Sequence, residues 1–133
     1  MDTIGLVWAV VVHAANIQDR DGAKLLLNRI KDKCHRLKLI WADGAYAGQL
    51  IEWVKTFCGW LLEIVRKKEN TKGFQVLPRR WVVERTFGWI GRYRRHSKDY
   101  EYLTDSSEAM ILISMIQLMA HRLARDGKPT VPC

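Results

Sequence analysis

Residues 79–95 read RRWVVERTFGWIGRYRR, six arginines around a single carboxylate, Glu84. The cations are Arg79, Arg80, Arg85, Arg92, Arg94 and Arg95, and Lys98 follows just outside. Glu84 has two readings. It balances its neighbours, pairing with Arg80 one helical turn before it, or it holds a metal ion where the arginines hold phosphates. Gly88, one turn after Glu84, removes a side chain beside the carboxylate and so admits a phosphate backbone. A second acid, Asp43 in WADGAYAG, ends an apolar run immediately before Gly44. Ligands of open α/β sheets bind at the carboxyl ends of the strands, where this acid would meet one. The competing reading is that Asp43 caps a helix starting near Tyr46.

The charge balance points the same way as the arginines. The 133 residues carry 22 Lys+Arg against 14 Asp+Glu, a formal charge of +8, which suits a polyanionic partner, nucleic acid or an anionic surface. Cys34, Cys58 and Cys133 form no CxxC pair and the histidines no HxxxH spacing, so a zinc site is not expected. An odd cysteine count fits a reducing cytoplasm rather than a disulfide scaffold. His13 reads as a packed strand-end histidine, and Asp19 and Asp21 as helix caps. The apolar run at 109–120 contains Ser114 and Gln117 and falls short of the roughly 20 residues that span a bilayer; it reads as a buried helix, and no membrane partner is expected.

The elements that must position these groups alternate. Residues 6–12 are a Val-rich run expected to be a strand covered on both faces, following DTIG as the tip of a hairpin. A helix is expected from Gly22 to His35, with Leu25, Leu26, Ile30 and Leu37 on one face. RLKLIWAD reads as a second strand broken by Gly44. A helix from Tyr46 to Phe57 follows, with Leu50, Ile51, Trp53, Val54 and Phe57 as its apolar side, ended by Cys58-Gly59. WLLEIV reads as a third strand. The polar stretch 66–78 reads as an exposed loop. Trp81 then opens a basic helix reaching Lys98, with Val83, Phe87 and Ile90 inward; Trp81, Trp89 and Tyr93 read either as core or as stacking platforms for bases. In TDSSE, Asp105 and Glu108 have capping-box spacing at the head of a last helix expected to pack inside. This order implies a largely parallel α/β sheet in one domain, residues 1–126, with a short tail at 127–133.

The blocks WADGAYAG and LPRRWVVERTFGWIGRYRRHSKDYE, with AVVVHAANIQDRDGA before them, resemble the DDE transposases of insertion sequences, in particular the IS5 group of the IS4-like superfamily. The resemblance runs from about Ala9 to about Leu123. It implies an RNase H-like mixed sheet flanked by helices, with Asp43 as the second catalytic aspartate and Glu84 as the final catalytic glutamate, both holding Mg²⁺ or Mn²⁺. It implies DNA as partner, both element ends and target, contacted by Arg79, Arg80, Arg85, Arg92, Arg94, Arg95 and Lys98. Around the glutamate, Arg80 and Glu84 match the family's signature. Its tyrosine position is Leu77, and its second basic position falls on Gly91, beside Arg92.

The family's first catalytic aspartate lies on the first strand of the fold, upstream of the turn that DTIG forms, and Asp2 is not that residue. The chain therefore reads as N-terminally truncated, inactive alone, and either the product of a truncated element or a frame joined to another by frameshifting. A second copy or a full-length transposase is the protein partner this leaves open. Two functions follow: metal-dependent strand cleavage and transfer in DNA transposition, or a non-catalytic basic DNA-binding remnant or regulator of transposition.

Overall fold

The computed structural model describes residues 1–66 and 80–126. The loop expected at 66–78, beyond Arg66 itself, the tail at 127–133, Leu77 and Arg79 lie outside the described residues. The chain divides into two compact units, His13–Trp81 and Met1–Val12 with Val82–Cys133.

In the unit His13–Trp81, α1 spans Asp19–Ile30, starting earlier and ending earlier than expected. Asp19 and Asp21 are therefore not caps; they lie in the first turn, where carboxylates favour the positive end of the helix dipole. The Ile30 carbonyl closes the helix by taking the amides of Lys33 and Cys34, both at 3.0 Å. Leu27 is buried with Ala23 and Ile30 packed beside it, a stripe at i, i+4, i+7. Leu25, placed inward by the sequence, is 53% exposed. The ring of His13 packs on Gly22, where a Cβ would collide with it.

Strands β1 (Leu39–Ala42) and β2 (Leu61–Ile64) pair in parallel with Leu39 opposite Leu61 and Ala42 opposite Ile64. Backbone bonds from Leu61 to Lys38 (2.9 Å) and from Val65 to Ala42 (2.8 Å) extend the ladder at both ends. Parallel pairing requires a crossover, supplied by a 3₁₀ turn at Gly44–Tyr46, α2 at Gln49–Trp53 and a π-helical turn at Val54–Cys58. The single helix expected from Tyr46 to Phe57 is thus broken, at Gly48 with φ 104°. Gly59, at φ 73°, ends the crossover in the left-handed region. Leu50 and Val54 fall inward, and with Leu27, Trp60 and Leu62 they form the core. Phe57 turns out to solvent, stacked on Trp53 at 4.9 Å with the Lys31 ammonium over its ring. The sheet has one covered face: Leu62 is buried while Leu61 is exposed.

Among the described residues the sheet has two strands, not three. Residues 6–12 form no strand; at the two ends of the run the Leu6 amide bonds Asp2 at 2.9 Å and the Val12 amide bonds Glu108 at 2.9 Å. The expected turn at DTIG is present, with the Gly5 amide on the Asp2 carbonyl and Asp2 capping the amides of Ile4 and Leu6.

In the other unit, α3 runs Arg80–Ile90, its first two residues belonging to His13–Trp81, and a 3₁₀ turn follows at Arg94–His96. The expected helix to Lys98 stops short because Arg92 and Tyr93 turn back to the carbonyls of Trp89 and Ile90. Thr86, not Phe87, is the buried residue of α3; Phe87 is 63% exposed. Helix α4 spans Thr104–Asp126 and buries Ser107, Ser114 and Met115. It starts before Asp105, which therefore lies in the first turn rather than at the cap. It is not buried all round, since Ile113, Ile116 and Leu123 are exposed. Among the described residues no helix is long and apolar enough to cross a membrane.

Candidate active site and nucleic-acid interface

Asp43 leaves β1 at its C-terminal end, as the sequence implied, and it is exposed. Its carboxylate accepts the Ala45 amide at 2.9 Å and so caps the Gly44–Tyr46 turn. The capping and ligand readings are compatible, since a carboxylate offers two oxygens and about four lone-pair directions. Gly44 has ordinary φ, and a Cβ there would meet nothing within 4 Å. Tyr46 lies close by. Burial holds its hydroxyl above the usual phenol range, and the charges of Asp19 and Asp43 push it the same way. On the same unit Gln18, Arg20, Asp21, Lys24, Gln49 and Leu50 line a depression that does not include Asp43. Lys24 sits 3.9 Å from Asp21.

Glu84 is exposed on α3. A Cβ at Gly88 would meet nothing within 4 Å among the described residues, so their packing gives no reason for a glycine in this helix. Asp43 and Glu84 belong to different units. Among the described residues no group of three His, Cys, Asp or Glu side chains is placed to hold a metal ion.

The cations divide into classes that their spacing did not reveal. The guanidinium of Arg85 is half-buried: it donates to the Ile4 carbonyl at 2.9 Å and lies over Trp89. Arg95 donates through Nε and Nη2 to Glu101 at 2.7 and 2.5 Å. Arg92, Arg94 and Lys98 are exposed and, among the described residues, form no ion pair. Arg80 opens α3. The guanidiniums of Arg85 and Arg122 lie over the Trp89 ring, at 4.6 and 4.4 Å from its centre, and the ring borders Gly5; Trp89 is a packing residue.

Sequence reasoning missed what holds this basic turn. His96 Nε2 meets the Ser114 hydroxyl at 2.6 Å, and Asp99 accepts from the Ser107 hydroxyl at 2.8 Å. The available signal was Ser107 and Ser114, two turns apart in the last helix and so on one face.

One unit thus holds a parallel strand ending in an exposed acid, and the other a glutamate on a helix followed by exposed cations. The chain belongs to the transposase DDE domain family, whose model matches residues 1–119. No curated protein and no solved structure matches it. The family acts on DNA and generally requires a divalent metal. The carboxylates of Asp43 and Glu84 are hard oxygen donors of the type Mg²⁺ and Mn²⁺ prefer. They fit such an ion by type, and the described residues add no third ligand to either.

Proposed function

We propose that the chain supplies part of the catalytic domain of an IS5-group transposase of the IS4-like superfamily, built on an RNase H-like fold over residues 1–126. Asp43 is the second catalytic aspartate and Glu84 the final catalytic glutamate. The observation carrying this reading is the position of Asp43: an exposed carboxylate at the C-terminal end of a parallel strand, beside a glycine that packing does not require. The reaction is phosphoryl transfer, in which water or a DNA 3′-hydroxyl attacks a phosphodiester in line and the opposite oxygen leaves. A bound Mg²⁺ or Mn²⁺ would supply nucleophile activation and stabilisation of the leaving oxygen, and Asp43 and Glu84 are the residues that would hold it, together with the family's remaining aspartate. Arg92, Arg94 and Lys98 neutralise backbone phosphates of element ends and target, with Arg80 at the head of the glutamate helix. The reaction takes place in the cytoplasm, with a second copy or a full-length transposase as protein partner.

The test is strand cleavage by a transposase that joins this chain to a strand bearing the remaining aspartate. Asp43→Asn and Glu84→Gln should each end metal-dependent cleavage and joining while leaving duplex binding in place. Undiminished cleavage with Gln at position 84 would reduce Glu84 to a counter-ion.

A second reading is a non-catalytic DNA-binding remnant or regulator of transposition. It is favoured by the exposed cations of the 92–98 turn alongside the lack of a three-acid cluster among the described residues. In that case the joined protein binds duplex, but neither it nor the two variants cleave or join strands when Mg²⁺ or Mn²⁺ is added.

A further inference from the structure

The segment 93–101 is fastened to α4 at two points. The Ser114 hydroxyl donates to the Met110 carbonyl one turn back, at 3.0 Å, which leaves its oxygen as the acceptor for His96, 2.6 Å away. Nε2 of His96 therefore carries the hydrogen. Nearer the start of the same helix, the Ser107 hydroxyl donates to Asp99, which also takes the Glu101 amide. Both serines are buried, at 5% and 8% exposure, so neither bond is readily replaced by water. Within the segment, Arg95 is tied to Glu101 and Ser97 to Tyr100. Arg94 and Lys98 in this segment, and Arg92 just before it, are exposed and form no ion pair among the described residues.

We infer that the His96–Ser114 pair is a latch that presets the basic turn for DNA, making His96 and Ser114 positioning residues for phosphate contact. The inference rests on the reading above that Arg92, Arg94 and Lys98 touch DNA. A held turn presents its cations without a further ordering cost on binding, whereas a loose one must be ordered by the duplex. The latch adds no phosphate contact of its own. Losing it should weaken binding equally at every salt concentration, because the slope of log affinity against log salt counts neutralised phosphates.

The test uses the full chain and a fluorescein-labelled duplex of arbitrary sequence, with anisotropy titrations across a range of salt. His96→Ala and Ser114→Ala should each weaken binding about five-fold with unchanged slope. The double variant should be no weaker than either single, as expected for two halves of one interaction. His96→Gln, whose amide N–H reaches the position of Nε2, should restore binding, whereas His96→Asn, one carbon shorter, should not. Wild-type affinity in both alanine variants, or equal affinities for the Gln and Asn variants, would overturn the latch. If an alanine variant fails to fold, the Gln and Asn pair decides alone. The triple variant Arg92→Ala, Arg94→Ala, Lys98→Ala separates the two levels. A flattened slope there with no effect of His96 rejects the latch and keeps the surface. An unchanged slope there rejects the surface, and the latch with it.

Discussion

The hydroxyl of Thr86, on a fully buried side chain in α3, lies 2.8 Å from the carbonyl of Gly5. Gly5 is at φ 86°, and a Cβ there would stand 2.6 Å from the same hydroxyl oxygen. Polarity and closeness thus depend on each other. Thr86→Val keeps the shape but leaves the Gly5 carbonyl without this donor, and should destabilise by about 1–3 kcal/mol. Gly5→Ala should cost at least about 1–3 kcal/mol through overpacking, with left-handed strain added. Urea midpoints at constant m measure both; an unmoved midpoint in Thr86→Val would show that the bond contributes nothing.

Gly88 should oppose the usual trade in the other direction. It sits inside α3 with open space around it, so Gly88→Ala should raise stability by about 0.5–1 kcal/mol. If a phosphate backbone approaches Glu84, the same methyl should weaken duplex binding. A gain in melting temperature with unaltered DNA affinity would mean that no backbone comes there.

Arg94 and Arg95 are neighbours with different commitments, and salt should tell them apart. Arg94→Ala should reduce the magnitude of the salt slope by about one. Arg95→Ala should change it less, because Glu101 already neutralises that guanidinium. Glu101→Gln should steepen the slope by releasing Arg95 to DNA. Equal slopes for Arg94→Ala and Arg95→Ala, with Glu101→Gln at the wild-type slope, would show that the ion pair has no bearing on binding.

Tyr46 should report on Asp43. Burial, then Asp19 and Asp43, hold the phenol above its ordinary value of about 10. The folded state thus retains this proton longer than the unfolded chain. The associated stability is fully present below the unfolded pKa and is lost as pH rises through the folded one. Asp43→Asn should lower the Tyr46 pKa, read as phenolate absorbance, and so make that loss smaller and complete at lower pH. No shift would mean that the two groups do not feel each other.

Local signals made parts of the fold legible. LIWA before Gly44 and LLEI after Gly59 are short apolar runs bounded by turn residues, and both are strands. The run at 6–12 carries the same signal and is no strand; its end amides, at Leu6 and Val12, bond the carboxylates of Asp2 and Glu108. The Glu108 partner lies 96 residues away, beyond any local pattern. Leu25 and Leu27 are equally apolar, and only the placement of the strands decides that Leu27 turns inward. The strand end that carries Asp43 was legible too, and the family match agrees with the transposase resemblance. The partners of Arg85, Arg95 and His96 were not visible. A basic run reads as one surface until tertiary contacts show which cations are already engaged.

The parallel pairing of β1 with β2 has a consequence for the order of events in folding. Leu39 can meet Leu61 only after the whole intervening crossover has been drawn into a closed loop, an entropic cost incurred before any ladder bond forms. Hairpins escape this delay because their strands are adjacent in sequence. Here Leu50 and Val54 must already be seated for the two strands to have a surface to pair against. The strand amides should therefore gain protection from solvent exchange together with those of α2, never ahead of them, and the acid at the end of β1 reaches its place only in that last, concerted step.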